Sequence, residues 1–160
     1  MINGVDSHRR GCRPNLLCAL QVVVFSEYRG RGISKVAVEA MRAIGRSRGL
    51  ADMIAPVRPS RKHEFPRVPI SEYIKRTDSA GRPFDPWLRV HSDLGAKIVK
   101  PCPTAMRITG TVAQWEEWTG IQFPGSGDYI IPGALVPVII DCESDRGDYI
   151  EPNVWMHHPG

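Results

Sequence analysis

A chain of 160 residues is long enough to bury a real core and is read as one domain. Its 21 Lys and Arg exceed 17 Asp and Glu, a mild positive balance that suits an anionic ligand without identifying one. The longest apolar run, Leu16 to Phe25 with Gln21 inside it, falls far short of the roughly 20 residues a bilayer span needs, so no membrane helix is expected.

Residues 1–15 form an N-terminal lead without the apolar centre of a secretory signal, which points to a cytoplasmic protein. Cys12, Cys18, Cys102 and Cys142 include no Cys-x-x-Cys pair and are read as free thiols. The stretch "NLLCALQVVVF" is continuously apolar with a β-branched end, the pattern of a strand buried on both faces and central in its sheet. An Arg/Gly turn follows. From Ile33, apolar residues recur at Val36, Ala37, Ala40, Met41 and Ile44, one side of a helix, with Lys35, Glu39, Arg42 and Arg46 opposite and Gly49 as a stop. "DMIAPV" reads as a second short strand, and strand, helix, strand over this length favours parallel pairing.

Between Arg58 and Arg82 the chain is rich in proline and charge, with room for one short helix near residues 71–76. "DPWLRVHSDLG" predicts a helix that starts at Asp85-Pro86 and stops at Gly95, followed by a strand at "AKIV". The remainder, "MRITGTVAQWEEWTG", "DYIIPGALVPVII" and "GDYIEPNVWM", predicts antiparallel strands with hairpin-like connections. Residues 16–110 then make the core and 111–160 a β-rich C-terminal extension. The fold class is α+β, a mixed sheet built on one α/β-type βαβ unit with flanking helices. His157 and His158 are read as solvated residues of a Pro/Gly-ended tail, and no metal site is expected.

The turn carries the chemistry. A helix start leaves its first amides unpaired and partly positive, so a turn without bulky side chains lets an anion reach them. Gly30 and Gly32 give that clearance, Arg29 and Arg31 add fixed charge, and Ser34 adds a hydroxyl. The stretch lacks the Gly-Lys-Ser/Thr of a nucleotide P-loop and the third glycine of a dinucleotide fold.

"VVVFSEYRGRGISKVAVEAM" resembles the acyl-CoA-binding motif of the GNAT acetyltransferase superfamily: a strand, then Arg/Gln-x-x-Gly-x-Gly/Ala, then an amphipathic helix. Arg29, Gly32 and Ser34 fall on the marked positions, with Ser34 in place of the usual glycine or alanine. The resemblance implies that Arg29, Gly30, Arg31, Gly32, Ile33 and Ser34 hold the pyrophosphate of acetyl-CoA. It implies too that the pantetheine arm follows Val22 to Val24, and that this strand splays from "DMIAPV" to admit the thioester. "HSDLGA" resembles the family's Tyr-x-x-x-Gly-Phe helix ending, with His91 at the tyrosine position and Ala96 at the phenylalanine. The tyrosine protonates the departing thiolate, so His91 is the candidate catalytic residue; the other reading is a partly buried histidine bonded to a carbonyl.

The function so implied is transfer of an acetyl group to a small-molecule amine by direct attack in a ternary complex, with an amide at the end of the Val22–Val24 strand as the oxyanion donor. Glu27, His63 and Glu64 are the candidate bases nearest in sequence. Arg58, Arg61 and Lys62 concentrate positive charge for an acidic acceptor or a phosphate, and Trp115 and Trp118 are candidates for an acceptor wall or for core. GNAT domains place several strands and helices ahead of the turn's strand, where this chain has some fifteen residues. A truncated form, a partner chain completing the sheet, or substitution by the C-terminal β-rich region are the alternatives, and either a homodimer or an otherwise covered edge is expected. The competing function is a noncatalytic acyl-CoA-binding or interaction module; nucleic-acid binding through Arg29 and Arg31 is the weakest reading.

Overall fold

The structure is a computed structural model that describes residues 2–160, with side-chain surroundings from Asp6 onward. Met1, at the head of the N-terminal lead, lies outside the described residues. The lead contains helix α1 (Ile2–Arg9). Next come β1 (Leu17–Cys18), a 3-10 turn at Ser26–Tyr28, α2 (Ile33–Ser47) and β2 (Met53–Val57), with β1 and β2 parallel. This is the expected βαβ unit.

A second 3-10 turn (Lys62–Glu64) and α3 (Ile70–Tyr73) occupy the proline-rich segment, ahead of α4 (Pro86–Asp93) and β3 (Lys97–Gly110). The chain ends with α5 (Val112–Thr119), β4 (Gly127–Tyr129), β5 (Val138–Asp141) and β6 (Arg146–His158). One mixed sheet of six strands runs β1-β2-β6-β5-β4, with β3 paired to β6 and all pairs except β1–β2 antiparallel.

The first strand differs from its expectation. It lies at the sheet edge rather than the centre, and only two of its residues are in the ladder. The apolar run continues as open backbone, with Val23 and Phe25 67% and 69% exposed. β6 takes the central place beside β2, on the side of β2 away from β1, so the C-terminal region does not stand in for strands beyond β1.

Helix α2 also turns differently from its expectation. Val38 and Gly45 are buried and Ala37 and Met41 partly so, whereas Ile33, Val36 and Ile44 of the expected inner stripe are exposed, Val36 by 63%. The helix carries two adjoining apolar stripes, and the sheet takes one. Gly45 lets it come close: a Cβ there would stand 3.1 Å from the Leu50 carbonyl and 3.4 Å from Leu17.

Two expected breaks and strands resolve otherwise. "AKIV" and "MRITG" are one strand, β3, irregular at Ile98/Lys100 and Cys102/Met106. Its Pro101 and Pro103 are tolerated because β3 bonds only to β6 and its other edge needs no amide donors. "VAQWEEWT", expected as strand, is helix α5, started by a capping box in which Thr111 and Gln114 bond each other's backbone amides.

Two apolar clusters result. One joins α2, β2, α3, α4 and β6 through Val38, Met53, Ala55, Tyr73, Leu88 and Met156. The other packs Trp115, Phe123, Val138, Ile140 and Tyr149 around β5 and the start of β6. Asp85 ties the irregular segment to α4: its carboxylate caps Trp87 and Leu88 and also accepts from the Ser60 and Arg61 amides and the Tyr73 hydroxyl.

Candidate active site

β1 and β2 separate almost as soon as they meet. The Leu17 amide donates to Asp52 and the Ala19 amide to Ile54, at 3.0 and 2.8 Å; beyond Ala19, no backbone bond among the described residues joins the segment to β2. A cavity of about 480 Å³ opens in the gap, with Ala19 and Val22 on one side, Val57 on the other, and Trp87, His91 and Glu151 closing it. Val22 and Val24 are both half-buried. The amides of residues 20–25 have no acceptor among the described residues.

The turn beyond this segment is open. Its backbone is closed once, by the Arg29 amide donating to the Ser26 carbonyl at 3.2 Å, so Arg29 does not contribute a free amide as expected. The amides of residues 30–34 meet no acceptor among the described residues, and no side chain caps α2. Gly30 and Gly32 have φ of 76° and 74°, and a Cβ on either would meet nothing within 4 Å. Arg29, Arg31 and Ile33 are exposed and Ser34 half-buried. Arg29 Nε donates to the Val24 carbonyl at 3.3 Å, which fastens the turn to the end of the segment that walls the cavity, and the Arg31 guanidinium lies over the Tyr28 ring. An open backbone at the head of a 15-residue helix, flanked by two guanidinium groups, fits a diphosphate.

His91 is 2% exposed and lines the cavity from α4, packed edge-on against Trp87. Its Nδ1 lies 2.8 Å from Nε2 of His158 on β6, which is fully buried. This corrects the solvated-tail reading: alternation along β6 sends His158 inward to His91 and His157 to Asp52 at 2.8 Å. Burial, with His158 as a like-charged neighbour, pushes His91 down to about 4. Burial, with Arg42 and His157 nearby, pushes His158 to about 4 as well. His91 is therefore neutral at pH 7 rather than poised between charge states. Among the described residues, His91 Nε2 and His158 Nδ1 are buried without a partner.

The remaining polar wall was not expected from the sequence. Glu151 is buried and lines the cavity; its Oε2 accepts from Arg58 Nε at 3.0 Å and from the Tyr149 hydroxyl at 2.8 Å, while its Oε1 makes no bond to the described residues. Asn153, two residues along the same strand, donates to the Pro56 carbonyl and leaves a buried Oδ1 unpartnered. The one available signal was polar residues in an otherwise strand-like apolar run, "YIEPNVW".

The residues singled out earlier lie elsewhere. Glu27 and His63 are exposed, and Glu64 is paired with Arg61 at 2.7 Å; none lines the cavity. Arg58, Arg61 and Lys62 do not form a positive patch: two have carboxylate partners, and Lys62 is fully buried, donating to the Phe65 and Leu135 carbonyls. Trp115 is in the second cluster with Trp118 against it, away from the cavity. No group of three or more His, Cys, Asp or Glu is placed to hold a metal among the described residues, and none of their helices is long and apolar enough to cross a membrane.

A parallel pair that parts beside a glycine turn, on a mixed sheet with flanking helices, is the fold of the GNAT superfamily. The chain is similar to the loading GNATL domain of CurA from Lyngbya majuscula, with a TM-score of 0.58 at 18% identity, covering 96% of this chain and 60% of that one. It is 36% identical over 176 residues to the arginine N-acetyltransferase avaD of Aspergillus versicolor, across 98% of this chain and 61% of that protein. The chain spans about 60% of the length of each. No family model matches it.

Both buried histidines bind protons more weakly folded than unfolded. Between their ordinary value of 6.5 and about 4 the unfolded chain takes up the extra protons, so stability falls as pH drops through that window. Asp148, held near 2 by Arg146 and Arg107, adds its loss only below the usual 3.8. Denaturant unfolding is expected to lose roughly 2–5 kcal/mol from pH 6.5 to 4, and much less in a His91→Gln, His158→Gln double variant. Parallel pH curves for the two proteins would contradict this.

Proposed function

We propose that this chain carries the acyl-CoA site of an N-acetyltransferase that moves an acetyl group from acetyl-CoA to a small-molecule amine by direct attack while both are bound. The observation that supports this most is the set of unengaged amides at residues 30–34, fastened through Arg29 to the segment that walls the cavity. Gly30, Arg31, Gly32, Ile33 and Ser34 would hold the coenzyme's diphosphate by their amides, with the Arg29 and Arg31 guanidinium groups adding charge. Acetyl-CoA supplies the activated thioester. Val22 and Val24 would line its arm, and a free amide of that segment would donate to the developing oxyanion. Neutral His91 would present Nε2 to the reacting groups.

For the acceptor we take up the relative's name and propose arginine or a similar amino acid. The cavity wall supports an acceptor of both charges. Glu151 Oε1 and Asn153 Oδ1 are unengaged acceptors for an ammonium or guanidinium, and Arg58 Nη1, with no bond to the described residues, faces a carboxylate. The four free cysteines suit a reducing compartment and support a cytoplasmic location. The unpaired outer edge of β1, with Val23 and Phe25 exposed beyond it, supports a homodimer.

Gly32→Val is expected to weaken acetyl-CoA binding at least ten-fold by calorimetry, while Gly49→Val, which imposes the same positive-φ strain at the other end of α2, leaves it unchanged. Equal affinities for Gly32→Val and the unmodified chain would remove the diphosphate site. Coenzyme binding without thiol release would instead support the noncatalytic reading. With L-arginine as acceptor, Glu151→Gln should raise KM about ten-fold or more and spare acetyl-CoA affinity; an unaltered KM would detach Glu151 from the acceptor. Sedimentation should find a dimer at micromolar concentration, and a monomer throughout would rule out pairing on β1.

A further inference from the structure

Two imidazoles in hydrogen-bond contact inside a protein constrain each other. Neutral rings carry one proton each, and a single proton must lie between His91 Nδ1 and His158 Nε2 for the 2.8 Å approach to be a bond. If His91 carries its proton on Nδ1, it donates to His158, whose own proton is then on Nδ1, and His91 Nε2 is left as an acceptor. If His158 donates from Nε2, His91 carries its proton on Nε2, which is then a donor. The mixed arrangements put two protons between the rings, or none.

We propose that His158 is a positioning residue for His91: through their shared proton it decides whether His91 Nε2 meets the cavity as a proton acceptor or a donor. The chemistry rests on the acetyl-transfer reading above; the coupling of the rings does not. Among the described residues, no other group bonds any of the four nitrogens. Arg42 of α2 is spent on the Leu94 and Pro159 carbonyls, Asp52 bonds His157, Lys97 is across the sheet from His157, and Asp93 of α4 is exposed. The outer nitrogens of both rings are buried and unpartnered among the described residues, and of the two rings it is His91 that lines the cavity, so the pair reaches the site through His91.

This arrangement lets the pair lend and recover one proton. A proton leaving the attacking nitrogen is taken at His91 Nε2 while the Nδ1 proton passes to His158 Nε2, so the positive charge rests on His158. The reverse shift gives a proton from His91 Nε2 to the departing thiolate. One proton is taken from nitrogen and one given to sulfur, and the pair ends as it began. Burial, which holds both rings at about 4, keeps that charge short-lived.

The test begins on the unmodified chain, without turnover. Nitrogen–proton NMR of labelled histidines should find His91 and His158 in the same tautomer, both Nδ1–H or both Nε2–H; opposite tautomers would overturn the proposal. His158→Phe should then redistribute the His91 tautomers and lower kcat for thiol release at least ten-fold with acetyl-CoA affinity unchanged, and His158→Gln, which can still donate or accept, should restore part of the rate. An undisturbed His91 spectrum in a folded His158→Phe chain would also overturn it. If the unmodified chain binds acetyl-CoA but releases no thiol, the acetyltransferase reading fails, while the spectra still decide the pairing.

Discussion

The parting of β1 from β2 after Ala19 is the constraint on which the rest of the site depends. A parallel pair normally spends its backbone groups on each other; here the pairing stops after the Ala19–Ile54 bond, and the amides of the next six residues meet no acceptor among the described residues. That single departure makes the cavity, supplies candidate oxyanion donors and leads the chain out to the glycine turn. The apolar character of the run is then explained by lining a cleft rather than by filling a sheet.

The far wall is assembled by β6. Its register against β2 sets Val154 opposite Val57, which places Asn153 over the Pro56 carbonyl and Glu151 within reach of Arg58. The same strand, four residues beyond Val154, delivers His158 to His91. One strand thus contributes a carboxylate, an amide and an imidazole around the cleft, and α4, fixed by the Asp85 cap, brings Trp87 and His91 to meet them.

What could be read from the sequence was local. The turn was legible because positive φ at Gly30 and Gly32 and a helix start at Ile33 are written in adjacent residues. The α4 boundaries were legible for the same reason, through Asp85, Pro86 and Gly95. Helix α5 had its signal too, Thr111 and Gln114 three apart, but the β-branched and aromatic residues around it outweighed that signal in the reading. The placement of β1 was not legible, because the same continuous apolar run suits an interior strand or a cleft wall, and only its neighbours decide. Val36 and Val38 on α2 pose the same problem: both are apolar, and the sheet chooses between them. Glu151, Asn153 and His158 were invisible as site residues because their positions depend on a register set about a hundred residues away in sequence.

The loop at Gly133 to Leu135 is clasped three ways: Arg58 donates to the Gly133 carbonyl, Lys62 to the Leu135 carbonyl, and the Leu135 amide to the Tyr149 hydroxyl. That hydroxyl and that guanidinium are also the two donors that hold Glu151 Oε2. The carboxylate is therefore aimed by a hairpin loop that never enters the cleft. Shape changes in that hairpin have a mechanical route to the polar wall of the cleft, so the aim of the carboxylate follows how tightly a remote loop is gripped, while the glycine turn is left as it is.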